Sequence, residues 1–301
     1  MSPRGFEADL PELESLRNAD PATTLAPIRK FLTNRNNFLV AKAAKLAADH
    51  NHRALIPDLV AAYPRFELDP NKSDPQCWAK EAIAKALAAF DYQEPDLFLA
   101  GIRTFQPGFT DDAATALRGT CALALVACRG LSSTQVLRHL LPLFADQQLP
   151  VRVNAARAVT QLGNDSCALI LRLRAELGSD KPELLGACYS GVLALEGPSA
   201  IPWAAKFLQH HSPDEASDEA AFAIAETRTE PAVALLRKTY TQTRDKSFRE
   251  TLLTALALTR HEAAYEFLFT LVAEGHRPAR EALENSAPPQ TILDRLDSID
   301  P

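Results

Sequence analysis

Glycine is scarce: 11 residues in a chain of 301, about half the ~7% share usual in globular proteins. Most phosphate cradles need glycine where the backbone closes on the ligand, so that class is largely excluded. A GxSxG nucleophile elbow is also absent. Val and Ile together number 19 and aromatics are 7%. Strands favour those residues, so a large sheet is not expected. Cysteine is used five times, an odd number with no CxxC. Cys77, Cys121, Cys128, Cys167 and Cys188 all lie in apolar helical stretches, where a thiol packs as a small hydrophobe. A reduced, cytoplasmic setting is expected from this usage. Residues 1–16 show no basic segment followed by an apolar run, and no apolar stretch of about 18 residues occurs, so neither a signal peptide nor a membrane partner is expected. Net charge is −6 with a pI near 5.7, which gives no general attraction to nucleic acid.

What fills the chain is alanine, 51 residues, and leucine, 43. Both lead the helix scale, so the chain reads as all-α. Helix starts are marked where a polar residue precedes a first-turn proline: Asp20-Pro21, Glu94-Pro95, Ser212-Pro213 and Thr229-Glu230-Pro231. Ser212 and Glu215 have capping-box spacing. Gly130, Gly163 and Gly197 stand where C-terminal caps belong. Helices of about 10–17 residues with short connections imply antiparallel pairs.

The pairs repeat. Ala43-Ala44-Lys45-Leu46, Ala84-Lys85-Ala86-Leu87, Ala122-Leu123-Ala124-Leu125, Ala156-Arg157-Ala158-Val159, Gly191-Val192-Leu193-Ala194, Phe222-Ala223-Ile224-Ala225 and Thr254-Ala255-Leu256-Ala257 share one pattern. Successive copies are roughly 31–41 residues apart, the period of stacked two-helix units. Pro27, Pro57, Pro142 and Pro202 recur within first helices, which predicts a shared kink.

The stretch from His139-Leu140-Leu141-Pro142-Leu143-Phe144-Ala145-Asp146 to Pro150-Val151-Arg152-Val153-Asn154-Ala155-Ala156-Arg157-Ala158-Val159 resembles a HEAT repeat. The resemblance implies a right-handed α-α superhelix, a solenoid of about eight two-helix repeats, at 21–51, 52–91, 93–130, 132–163, 165–197, 198–227, 229–260 and 261–286. It also implies a ladder of Asp and Arg between neighbouring repeats, with Asp146 and Arg152 in those places. The chain is expected to be a single domain, with 1–19 and 287–301 as caps or tails and 66–75 as the longest loop between helices. Second helices would line the concave face and first helices the convex one.

In the middle unit Val151, Ala155, Val159 and Leu162 form an apolar stripe, while Asn154, Arg157 and Gln161 lie opposite. Basic residues gather on second helices before residue 182: Lys42, Lys45, Lys80, Lys85, Arg118, Arg152, Arg157 and Lys181. Beyond them come Asp214, Glu215, Asp218 and Glu219. Segregated charge of this kind steers a partner of matching sign. Trp78 is a candidate anchor, since Trp is enriched at binding hot spots. The candidate partner-binding residues are therefore Lys42, Lys45, Trp78, Lys85, Arg118, Asn154, Arg157 and Gln161.

Catalytic and metal sets are thin. His50 and His52 are two apart and would not share a helix face. Cys121 and Cys128, two turns apart, read as core. His261-Glu262 resembles one His-Glu pair of the deoxyhypusine hydroxylases, HEAT-type enzymes with a di-iron site, but Asp165-Ser166, Pro198-Ser199 and Glu230-Pro231 lack the histidine at the equivalent places. No metal and no cofactor is expected. The expected function is a non-enzymatic scaffold that holds a protein or peptide on the concave face. The alternatives are nucleic-acid binding, as in the HEAT-like alkylpurine DNA glycosylases, and a subunit resembling the phycobilin lyases.

Overall fold

The computed structural model describes residues 3–108, 111–209 and 211–299. The described residues are helical apart from turns and one isolated bridge between Pro107 and Asp112. They gather into two compact units, residues 1–161 and 162–301.

Unit 1 runs α1 (Pro3–Ser15), α2 (Pro21–Leu32), α3 (Asn37–Asp49), α4 (Ile56–Ala62), α5 (Pro70–Ser73), α6 (Trp78–Ala89), α7 (Asp96–Gly101), α8 (Thr115–Leu125), α9 (Ser133–Leu140) and α10 (Leu149–Leu162). Helix α3 pairs with α2, and α8 with α7, while the second helices α3, α6 and α8 stack in series and α1 covers α3. Unit 2 runs α11 (Asp165–Leu177), α12 (Pro182–Glu196), α13 (Ile201–Ala204), α14 (Glu215–Glu226), α15 (Glu230–Gln242), α16 (Lys246–Leu258), α17 (Glu262–Ala273), α18 (Arg277–Asn285) and α19 (Gln290–Asp297). Its second helices α12, α14, α16 and α18 stack in the same way. Each of the eight expected segments thus holds a first and a second helix, and the chain is an all-α repeat fold of solenoid type. Alanine explains the close stacking: Ala43, Ala44 and Ala47 on α3 and Ala79, Ala84 and Ala86 on α6 are all buried, and small side chains let helix axes approach.

Capping follows side-chain chemistry. Asp20 accepts from the Ala22 amide at 3.0 Å, with Pro21 in the first turn. The expected Ser212–Glu215 box is displaced: Asp214 is the cap, and Ser217 returns the bond to its amide. Asp accepts from orphan amides as well as Ser does, and it stands two residues nearer the helix. Gly163 and Gly197 have positive φ, 72° and 65°. Gly130 does not; it packs against Pro95 instead, and the left-handed turn after α11 falls to Gly178, φ 65°. The prolines differ from a shared kink. Pro27 sits inside α2, whereas Pro142 begins a 3-10 turn after α9 and Pro202 and Pro57 open short helices. A missing N–H and a fixed φ are cheaper at a new helix start than inside one.

Segment 66–75 is not the long bare loop expected, because α5 and a 3-10 turn occupy it. The described residues of 102–114, between α7 and α8, carry no helix. The tails hold helices, α1 and α19, and Leu13 and Leu296 are buried. The helical run 182–207 is long and apolar enough to span a membrane by composition alone. It is the core of unit 2, however: Leu184, Leu185, Cys188, Tyr189, Val192 and Leu193 are buried, and a 3-10 turn at Gly197–Ala200 interrupts it.

An aspartate precedes each of six second helices: Asp74, Asp112, Asp146, Asp180, Asp214 and Asp245. In unit 1 a basic residue follows six positions later, at Lys80, Arg118 and Arg152. Arg118 is the central rung. It pairs with Asp112 through Nη1 and with Asp146 through Nε and Nη2, at 2.8 and 3.1 Å. Arg152 donates to the Asp146 carbonyl at 2.7 Å. Asp146 therefore joins the preceding repeat through Arg118.

Candidate partner-binding groove

A groove of about 580 Å³ lies between α3 and α6. From α3 come Phe38, Ala41, Lys42, Lys45, Ala48 and Asp49, and from α6 come Trp78, Glu81, Ala82, Lys85, Ala86 and Ala89. The spacing of three and four places each set on one helix face. Alanines form the floor and the charged residues form the rim. A second hollow of about 400 Å³ shares Lys42, Lys45 and Asp49 and adds Leu13, Glu14 and Arg17.

Trp78 is 49% exposed at the head of α6. Cys77, in a left-handed turn (φ 57°), directs the chain into that helix. The Phe38 ring meets the Trp78 ring edge-on at 5.7 Å, and the Lys42 ammonium lies 5.2 Å from the Phe38 centroid. Lys42 donates to Glu14 at 2.7 Å, and Lys85 pairs with Glu81 one turn away. Lys45 is exposed and makes no ion pair among the described residues.

Four of the expected site residues, Lys42, Lys45, Trp78 and Lys85, are thus brought together. Arg118 is corrected: its side chain is 6% exposed and committed to two carboxylates. Burial opposes its charge, but the bonds to Asp146 and Asp112 outweigh that and hold its pKa above the ordinary value. Lys80 is likewise buried, donating to Gln106 Oε1 at 2.7 Å. Gln106 passes the chain on to the Asp74 carbonyl (2.6 Å), and its own amide N–H donates to Asp112 (3.1 Å). Helical periodicity alone does not separate these two bases from exposed ones, because their acceptors come from distant turns. Asn154, Arg157 and Gln161 do not line the groove. Asn154 packs its amide over Gly119, where a side chain would collide, and Arg157 and Gln161 are exposed on α10. Phe38 and Glu81 escaped the sequence reading; the signal was the run Phe38, Lys42, Lys45, Asp49 along one helix face.

The histidines also differ from expectation. Asn51 adopts φ 55°, which ends α3 and folds the chain back. His50 Nδ1 and His52 Nε2 then both reach the buried Thr24 hydroxyl, at 2.9 and 2.8 Å. Burial, and then the neighbouring His50, lowers the pKa of His52. His261 caps α17, its Nδ1 accepting from the Ala263 amide at 3.2 Å. Among the described residues no three His, Cys, Asp or Glu side chains converge as a metal set. All five thiols are buried, and burial pushes Cys77 and Cys188 up to about 12 and Cys128 to about 11. These three are not thiolate nucleophiles near neutral pH.

No family model matches the chain, and no curated protein matches it. Among solved structures it is similar to human deoxyhypusine hydroxylase in complex with glycerol, at 19% identity and a TM-score of 0.33, over 85% of this chain and 91% of that one. That protein is an enzyme; the expectation that this chain is not one is withdrawn, because a repeat of paired helices is no ground for excluding catalysis.

Proposed function

We propose that unit 1 is a HEAT-type repeat module that holds an acidic peptide segment with apolar side chains in the groove between α3 and α6. The HEAT assignment is supported by the eight helix pairs and by the Asp–base ladder through Arg118. The binding reading is carried by one observation, a half-exposed Trp78 over an alanine floor beside Lys45, which has no ion pair among the described residues. An aromatic flank with a nearby cation suits a ligand that brings an apolar group and a carboxylate together. In the rim pairs Lys42–Glu14 and Lys85–Glu81 one side chain is well exposed, Glu14 and Lys85, while Lys42 and Glu81 are partly buried. Pairs this open to solvent are worth at most about 1 kcal/mol, so their lysines exchange partners readily. Nucleic acid is the weaker reading. With Lys80 and Arg118 buried, the cations that line the groove alternate with Glu14, Asp49 and Glu81, so its described residues form no continuous basic track for phosphates.

The test uses Trp203→Phe, so that Trp78 alone emits. An amphipathic Glu/Leu/Phe 15-mer is titrated against its Lys counterpart and a DNA duplex at ~50 mM salt. The Glu peptide is expected to shift Trp78 emission to the blue. Lys45→Glu should weaken it about tenfold, and Trp78→Ala should abolish binding read by anisotropy of the labelled peptide. Tighter binding of the duplex, or equal binding of both peptides, overturns the reading.

A further inference from the structure

Helix α11 is apolar on two opposite faces. Cys167, Leu171 and Ala175 are buried in unit 2, while Leu169, Leu173 and Leu177 are 66%, 62% and 62% exposed. At 100° per residue the exposed leucines centre about 180° from the buried face. They form a straight ridge spaced i, i+4, i+8, pointing away from the core. Single exposed leucines need no explanation, but a contiguous ridge on one rigid helix does. Rigidity comes from the flank: Arg172 binds Glu196 and lies 4.6 Å over the Trp203 ring, and Glu176 accepts from Trp203 Nε1 at 2.7 Å and pairs with Lys206.

We propose that this ridge is a self-association surface, on which α11 of a second copy packs antiparallel about a two-fold axis through Leu173. Three features favour a second copy in that sense. The ridge is its own complement, since Leu169 meets Leu177 of the second copy and Leu173 meets its own equivalent, as an isologous interface requires. The charges match: Arg172 and Glu176 share one flank, and the antiparallel register sets each beside the other's equivalent with an axial offset of about 3 Å. Opposed helix dipoles favour the same sense. Three leucines present on the order of 300 Å² of apolar surface, below the ~800 Å² per partner of a stable interface. The dimer is therefore concentration-dependent and exchanges readily.

Sedimentation of the full chain across a concentration series tests the proposal. The expected result is a monomer–dimer equilibrium whose dissociation constant rises at least tenfold in Leu173→Glu, with an unchanged far-UV circular dichroism spectrum. Direction is tested by cross-linking, since the native thiols are buried. Under mild oxidation Leu173→Cys should form a covalent dimer alone. Leu169→Cys and Leu177→Cys should each stay largely monomeric alone and cross-link when mixed. A chain that is monomeric at several hundred micromolar, or equal sedimentation of Leu173→Glu and wild type, overturns the surface. Efficient self-cross-linking of Leu169→Cys overturns the antiparallel arrangement.

Discussion

The two units place the same aspartate before their second helices and use it differently. In unit 1, Asp112 and Asp146 share Arg118, so a local cap is also a link between repeats. In unit 2 the positions six residues on hold Gly186, Ala220 and Thr251, and Asp214 and Asp245 act within their own turns. Asp214 accepts from the Ser217 amide at 2.9 Å and Asp245 from the Phe248 amide at 2.8 Å, while Asp180 pairs with Arg174 of the preceding helix. Gly186 cannot simply regain a base, because the Glu219 carboxylate occupies the space its side chain would need. Capping requires only a backbone turn and survives any neighbour. A ladder needs a base of the right length and a hollow to bury it.

The sharpest way to break this contrast is Arg118→Met. It leaves the Asp112 and Asp146 carboxylates facing each other in a site that is almost dry. Removing one partner of a buried charge network costs about 3–5 kcal/mol. The chain has two tryptophans, Trp78 in unit 1 and Trp203 in unit 2, so each unit has its own reporter. In urea, the Trp78 transition (read in Trp203→Phe) should fall by more than 1 M at a slope of ~1–3 kcal/mol/M. The Trp203 transition (read in Trp78→Phe) should move far less. Equal shifts would show that the units do not unfold separately.

Fold was legible for a reason that the ladder makes clear. Helix pairs announce themselves through local signals, namely the Ala pattern, the polar residue before proline and the 31–41-residue period, and all eight segments hold a pair. The groove was legible in part, because Lys42, Lys45, Trp78 and Lys85 project from the expected faces of neighbouring second helices. Burial of Lys80 and Arg118 was not legible. Both sit on the same kind of face, but Gln106 and Asp112 reach them from the connection between α7 and α8, and no helical periodicity describes their positions. The recurrence of aspartate at 74, 112, 146, 180, 214 and 245 was present in the sequence and marks the turn more faithfully than the Val-Arg pattern of the middle repeat.

Within unit 1 the rungs differ in strength. Lys80 has one neutral acceptor, Gln106 Oε1, and shedding a buried ammonium offsets part of what is lost. Lys80→Met should cost about 1–2 kcal/mol, the range for one buried acceptor left unpaired. A Trp78 shift as large as that of Arg118→Met would refute the distinction. Asp214→Ala probes the other side of the comparison. It removes a capping box and no interhelical link, so about 1 kcal/mol is expected, visible in the Trp203 transition alone.

The smallest effect separates the units by pH. His52, in unit 1, has a folded pKa below its ordinary 6.5, through burial and then His50. The unfolded chain takes up that proton first, so unit 1 loses stability as pH falls below 6.5. Glu219 and Asp218, in unit 2, have folded pKa values raised by burial and by neighbouring carboxylates, Glu183 and Asp218 first around Glu219 and Asp214 first around Asp218. There the folded chain takes up the proton first, so unit 2 gains stability as pH falls from neutral towards the ordinary carboxylate value of 4.5. Between pH 7 and 5 the urea midpoint read by Trp78 should drift down while that read by Trp203 drifts up. His52→Gln should flatten the first drift and Glu219→Gln the second, each without touching the other. Parallel drifts would mean that protonation acts on the chain as a whole, and the contrast between a linked unit and a capped one would then have no counterpart in its titration.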